Sequence, residues 1–470
     1  MRVLCRLWFI TLFACAFSNP AIVILAFDRT SHLRQTIRSI HRVTPGILAH
    51  IPVFVSIDDN PKAKRVIRAV QLEEGVTGIW VQPAPEGSLS VRARISRHYA
   101  LVLEKVFSNE SNTHAILLED DLRFSPDFLI YLTAALPKLQ SAGQNEIVCA
   151  SGWNDNGFAS ASASEAILTS FFPGLGWGLH RSLWELLRSK WPAYGTDIVG
   201  IGWDFWLRIY FERNGWTCIT PLLSRVKHAG SSGSNVHAAQ ANDVYSETHT
   251  ANVPIGEVSW QEVLKNVTVD KLKERTQSRL SHGSLVHSLE DVVRRGSEQF
   301  VMPYVREDYR SIASKLSLWP TPRGHFRYTL LAQIDTETDI LLYDERWASR
   351  YFSVPESYAA NVKFVKSEIN ESCVQACERK GATCSAEALE WANDCSTMLR
   401  EFADCKGCAH ETGADLPAMV SPSAPLETAG WCLITDSGMG DVGKLVCSDQ
   451  FRWTRRLCGC VPENAAKDEL

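Results

Sequence analysis

The chain has no run of lysines and arginines long enough to form a continuous basic stripe, and its formal net charge is −5 over 470 residues. A nucleic-acid partner, which has to be met by many phosphate contacts, is therefore not expected. Long apolar runs are also scarce. A membrane-spanning helix needs roughly 20 apolar residues, and the stretch Leu7 to Phe17 covers only about half of that. With Arg2 and Arg6 ahead of it and the small-x-small triplet Ala14-Cys15-Ala16 inside it, the segment reads as a signal peptide over residues 1–18. Retention as an uncleaved anchor is the alternative, because Pro20 is followed by the apolar run AIVILAF; cleavage is preferred, and no stable membrane anchor is expected. Cysteine is sparse before residue 373, and the single C-x-x-C, Cys405 to Cys408, lacks the strand context of a thiol oxidoreductase, which sets disulfide exchange aside.

Hydrophobic residues make up 45% of the chain and charged residues 21%, a balance that predicts a large folded core, most simply in two domains. Ten of the fourteen cysteines fall between Cys373 and Cys460, a density suited to an oxidising compartment. The last four residues, 467–470, spell KDEL, a retention address for the endoplasmic reticulum lumen read by the KDEL receptor, with cycling through the Golgi as part of retrieval. Sequons at Asn109, Asn266 and Asn370 are compatible with lumenal exposure.

From Ala21 onward, short apolar runs alternate with amphipathic stretches: AIVILAF, a helix-like His32 to Arg42, IPVFVSID, a basic helix-like Lys62 to Leu72, GIWVQ, a helix over Val91 to Phe107, then AILLE. This is the pattern of an α/β domain with a mainly parallel sheet. The fourth strand ends in Glu119-Asp120-Asp121, and Ser125-Pro126-Asp127 reads as a helix start, which puts the acids in a strand-to-helix turn. In open α/β sheets ligands gather outside the carboxyl ends of the strands, where Asp58 and these three acids fall. Acids before a helix are also favoured by its dipole alone; as a functional group they would hold a hard divalent ion together with a diphosphate. Downstream, SGWNDNGF (Ser151 to Phe158) and FFPGLGWGLH (Phe171 to His180) join turn formers to aromatics and read either as packed turns or as the lining of a sugar pocket. GWDFWLR sets Asp204 between Trp203 and Trp206 at a helix start, as a simple N-terminal helix acid or as a base held in one rotamer. His325 to Trp347 reads as a β-hairpin turning near Asp335 to Thr338.

Eight segments in this order, FDR, VSID, SRHY, LEDDL, WNDNG, FFPGLGW, WDFW and the SR of Ser224-Arg225, resemble the inverting β-1,2-N-acetylglucosaminyltransferase family that includes N-acetylglucosaminyltransferase I and the protein O-linked-mannose enzyme. The resemblance spans residues 21–350 and implies a GT-A-type nucleotide-sugar-binding domain with a mixed, mainly parallel sheet. It also implies a UDP-GlcNAc donor, a mannose-bearing glycoprotein glycan as acceptor, and manganese, or magnesium in its place. Carried over residue by residue, it makes Asp121 the metal ligand, Asp120 the ribose contact, Glu119 a neighbour of the donor sugar and Asp58 and His98 nucleotide contacts. Arg29 becomes a donor contact, Asp204 the catalytic base, and Cys149–Cys218 a disulfide. The donor-site serine corresponds to Asn235, and the acid that follows the base in N-acetylglucosaminyltransferase I is Phe205 here. A retained lumenal glycan-binding or quality-control protein on a degenerate transferase fold is the alternative, against which the intact acidic set counts.

Residues 366–463 resemble, in cysteine spacing, the small cysteine-rich terminal module of N-acetylglucosaminyltransferase V. Disulfides are the expected use of these cysteines; a zinc site built on Cys405, Cys408, Cys458 and Cys460 is the alternative.

Overall fold

A computed structural model describes residues 19–43, 50–85, 87–139, 146–157, 162–192, 202–228, 252–293, 299–334, 338–355, 362–435 and 445–462. The proposed signal peptide, Asn235 and the terminal KDEL lie outside the described residues. The chain forms two compact units, one of residues 1–195, 202–276 and 309–326, the other of residues 196–201, 277–308 and 327–470.

The first unit is built on an eight-stranded sheet. Its strands are β1 (Pro20–Ala26), β2 (Val53–Ile57), β3 (Gly78–Val81), β4 (His114–Glu119), β6 (Ile147–Ser151), β7 (Ala166–Thr169), β8 (Trp177–His180) and β9 (Thr217–Pro221), in the order β3-β2-β1-β4-β8-β6-β9-β7. β1 pairs in parallel with β2 and β4, β2 with β3, and β6 with β9, while β8 and β7 run antiparallel to their neighbours. This is the mixed, mainly parallel sheet expected from the alternation of runs. β1 is buried along its whole length, which explains why PAIVILA is continuously apolar rather than alternating. Helices α1 (Thr30–Val43), α2 (Ala63–Val70) and α3 (Val91–Phe107) follow β1, β2 and β3. The strand order reverses between β1 and β4, so a crevice opens at the carboxyl ends of these two adjacent parallel strands. Cys149 and Cys218 face each other across β6 and β9 and are joined by a disulfide.

One local expectation fails. The acids of residues 119–121 are not followed directly by a helix: Leu122–Phe124 forms a short strand, β5, paired antiparallel with β10 (Val226–His228). Helix α4 (Phe128–Ala135) starts later, and Ser125 does not cap it; its hydroxyl donates to Asp127 Oδ1 at 2.7 Å. The reason is tertiary. Asp127 is buried and takes Arg225 Nε at 2.9 Å and Trp260 Nε1 at 3.0 Å, and the wholly buried Arg225 draws β10 alongside β5. Breaking a buried pair from one side leaves an uncompensated charge, so Asp127→Ala should lower unfolding free energy by about 3–5 kcal/mol in chemical denaturation.

The second unit holds a four-stranded sheet of β11 (Ser284–Leu285), β12 (Phe300–Tyr304), β13 (Thr329–Gln333) and β14 (Asp339–Asp344), in the order β11-β12-β14-β13. β13 and β14 form the hairpin read from the sequence. After them comes a cysteine-rich sheet organised on the long strand Thr454–Pro462. Five disulfides staple it: Cys373–Cys458, Cys377–Cys460, Cys384–Cys447, Cys395–Cys408 and Cys405–Cys432. All four thiols of the zinc alternative are thus consumed in separate bridges. Within the same unit, the Arg400 guanidinium lies 3.9 Å from the ring centroid of Trp347, and Arg350 pairs with Glu401 at 3.1 Å.

Candidate active site

The crevice at the ends of β1 and β4 holds a cavity of about 420 Å³, within the range of small-molecule sites. Arg29, Asp58, His98, Glu119, Asp120, Asp121 and Asp204 all line it. Residues separated by as many as 175 positions in the chain (29 to 204) are gathered there because β1, β2 and β4 are sheet neighbours and α3 returns along them.

One side of the cavity is electrostatically layered. His98 is buried and shares a 2.8 Å hydrogen bond with the hydroxyl of Ser56, which also accepts from Gln82 at 2.7 Å. Burial, with help from Arg97 and Arg94, pulls its pKa down to about 3, so the imidazole is neutral at any physiological pH. Asp58 pairs with Arg94 at 3.0 Å; burial raises its pKa and Arg94 opposes the rise. Arg94 also lies 5.1 Å from the ring centroid of the exposed Phe27. A flat neutral ring could be stacked on and hydrogen-bonded here without a net charge being buried.

The acidic turn follows β4. Glu119 accepts the hydroxyl of Tyr99 at 3.0 Å, and burial followed by the charge of Asp121 pushes its pKa up to about 7. Asp120 is pushed up to about 6, by burial first, with Arg29 resisting. Asp121 behaves oppositely. Burial is the largest single influence and would raise it, but His228 and Arg29 together outweigh burial and hold the carboxyl below its ordinary value. Arg29 bridges the two aspartates, contacting Asp120 Oδ1 and lying 2.6 Å from Asp121 Oδ2. His228 Nε2 is 3.2 Å from the same Asp121 oxygen.

His228 is the functional candidate that the sequence reading missed. Its ligand atom and those of Glu119 and Asp121 lie within 4.8 Å of one another. Asp121 Oδ1 is buried and has no hydrogen-bond partner, an arrangement that costs free energy unless a cation takes that oxygen. Two carboxylates and an imidazole offer oxygen and nitrogen donors together, so the residues present fit a divalent metal ion. The missed signal was position: His228 stands three residues beyond the Ser224-Arg225 pair, and β10 places it opposite Leu122, next to the acids.

Asp204, which also lines the cavity, lies in the first turn of α5 (Trp203–Asn214). Gly202 precedes the helix, and a Cβ there would stand 2.6 Å from Asp204 Oδ1, so only glycine leaves the carboxylate its place. Trp203 is wedged among Tyr99, Phe172, Trp177 and Trp191, with centroid separations of 4.0 to 6.0 Å. This aromatic packing anchors the helix start while the Asp204 side chain stays 40% exposed and pairs with Arg208 at 3.1 Å.

The GNT-I family model matches residues 14–299. A curated alpha-1,3-mannosyl-glycoprotein 2-beta-N-acetylglucosaminyltransferase of Arabidopsis thaliana is 31% identical over 229 residues, 46% of this chain and 48% of that protein. The chain thus spans about half the length of the curated relative it matches. Among solved structures, GalNAc-T7 with UDP, GalNAc and Mn2+ aligns at a TM-score of 0.33 and 14% identity, over 45% of this chain and 43% of that one. The mannosyltransferase PcManGT from Pyrobaculum calidifontis, in complex with GDP-Man and Mn2+, aligns at 0.32 and 13%, over 57% and 76%. Likenesses at that level carry no argument about chemistry.

Proposed function

The chain belongs to the GNT-I family, and from that premise we propose that it is a metal-dependent, inverting N-acetylglucosaminyltransferase moving GlcNAc from UDP-GlcNAc, in β-1,2 linkage, to a mannose of a glycoprotein glycan. The observation that carries the reading is that the acidic turn after β4 and the carboxylate of Asp204 line one cavity. Displacement of UDP builds negative charge on the diphosphate and positive charge on the sugar ring, so the leaving side needs cations and the attacking side needs a base. A divalent ion held by Asp121, with Glu119 and His228 beside it, supplies positive charge to the departing diphosphate when bound. Arg29, seated on Asp120 and Asp121, adds its guanidinium there. Asp120 holds the ribose, while Asp58 and the neutral His98 meet the base. Glu119 faces the donor sugar. Asp204 takes the proton of the acceptor hydroxyl in one in-line attack, and the α-linked donor becomes a β product.

The same reading assigns residues 21–350 to catalysis and the cysteine-rich residues 366–463 to a stabilising cap or an aid in acceptor choice, with Asn235 as a further donor contact. A cleaved signal over residues 1–18 and the KDEL tail support work in the endoplasmic reticulum lumen with retrieval by the KDEL receptor. Among the described residues, no helix is long and apolar enough to cross a membrane.

The test is full-length protein with a panel of UDP-sugars, with manganese, magnesium or chelator, and with mannose-bearing N- and O-glycan acceptors, read by mass spectrometry and NMR. Transfer of GlcNAc as the β anomer, lost on chelation, is expected. Transfer of an α-linked sugar, or none to any acceptor, would reject the reading.

A further inference from the structure

The WNDNG segment has a division of labour that the donor site does not use. Asn154 donates to Leu222 O at 2.8 Å and accepts the backbone N–H of Asn156 at 3.0 Å. Asn156 in turn clasps a distant stretch: its Nδ2 donates to Arg323 O, and its Oδ1 accepts the N–H of Trp319, both at 2.8 Å. Gly324, at φ +71, lies against this clasp, and a Cβ there would stand 2.8 Å from Asn156 Nδ2. The far end of the stretch is tied by His325 O, which accepts from Ser170 N at 2.8 Å and from Thr169 Oγ1 at 3.1 Å. Both asparagines therefore serve the backbone. Asp155 between them is buried, yet it lines the cavity and pairs with Arg323 at 3.5 Å.

This pair is joined to Asp204 by an alternating series of groups. Asp204 pairs with Arg208, the guanidinium of Arg208 lies 4.6 Å from the ring centroid of Phe171, that of Arg323 lies 5.5 Å from the same centroid, and Arg323 pairs with Asp155. The ring thus steadies both arginines, and each arginine carries a carboxylate that lines the cavity.

We infer that Asp155 and Arg323 form the acceptor subsite and hold adjacent hydroxyls of a neutral sugar, an inference that rests on the transferase reading above. A carboxylate beside a guanidinium offers acceptor oxygens and a set of donors, and a pair of neighbouring ring hydroxyls answers both at once. An anionic acceptor is disfavoured, because both arginines are already neutralised and both carboxylates would repel it. Fixing the hydroxyls beside the attacking one presents a single oxygen to Asp204, which makes the pair a determinant of linkage as well as of affinity. Asp155 and Arg323 are binding residues; Asn156 is a positioning residue.

The experiment compares full-length wild type with Asp155→Asn and Arg323→Gln at saturating UDP-GlcNAc. It uses methyl α-mannoside and its single-deoxy analogues as acceptors, with donor affinity measured by calorimetry. Acceptor KM should rise by about 10- to 100-fold in each variant, the loss expected for a hydrogen bond to a charged group, with donor affinity unchanged. Wild type should discriminate strongly against at least one deoxy analogue, and the variants should not, a change that a merely structural defect does not produce. If Asp155→Asn fails to fold, the partly exposed Arg323→Gln carries the same comparison. Unchanged acceptor KM, a parallel loss of donor affinity, or undiminished discrimination among deoxy sugars overturns the inference. A wild type that transfers no sugar overturns the transferase reading itself.

Discussion

Asp204→Asn should lower the rate of GlcNAc transfer by about 10²- to 10⁴-fold while UDP-GlcNAc binds as before, the range expected when a positioned general base is removed. Asparagine preserves the shape of the side chain and its place in the first turn of α5, so the packing of Trp203 on Tyr99 and Trp177 is not disturbed. What is lost is the ability to accept a proton. Arg208, 3.1 Å from the carboxylate, loses its charge partner but remains seated on Phe171. Single-turnover kinetics with saturating donor and acceptor, alongside calorimetry with UDP-GlcNAc, separate the two effects. Transfer at the wild-type rate would remove Asp204 from the role of base, and weakened donor binding would mean that the substitution had damaged the other half of the cavity.

Asp121→Ala should remove metal-dependent donor binding and transfer together. The loss should exceed the roughly 10- to 100-fold that follows from deleting even a hydrogen-bond partner of a metal ligand. Asp121 contributes one oxygen that is buried without a partner and another shared by Arg29 and His228, so an ion taking the free oxygen satisfies an otherwise costly atom. Without the aspartate, Arg29 keeps only Asp120, and the positive charge of the site goes up where that of the ion is lost. His228→Ala should show the same defect in weaker form, because Glu119 and Asp121 remain. Counting bound Mn2+ by electron paramagnetic resonance reads both variants without relying on turnover. Full Mn2+ occupancy in Asp121→Ala would reassign the ligand.

Much of the sheet was legible because burial imposes its pattern locally. PAIVILA and the AILL within β4 are apolar throughout since β1 and β4 are covered on both faces, and α3 spans the residues read as a helix, with Ser90 as its cap. The acidic turn was legible for the same reason: a strand ended and three charges followed. What escaped was the consequence of long-range pairing. The start of α4 depends on Arg225 reaching Asp127 across 98 positions, and nothing around Ser125 announces that partner. His228 escaped for an equivalent reason, since its value lies in standing opposite Leu122 on a strand formed only when Arg225 is buried.

The sequence alone determined the α/β class, the family, the cysteine-rich terminal region and the residue types available for chemistry, because hydrophobic period, motif order and cysteine spacing are all written along one dimension. Tertiary structure decided which of those residues meet. It assigned each terminal cysteine its partner, set His228 beside Asp121, laid Arg29 across two aspartates and brought Asp155 to Arg323. The physical reason is that a contact between distant segments depends on strand order and buried pairings, which act only once the chain has folded back on itself.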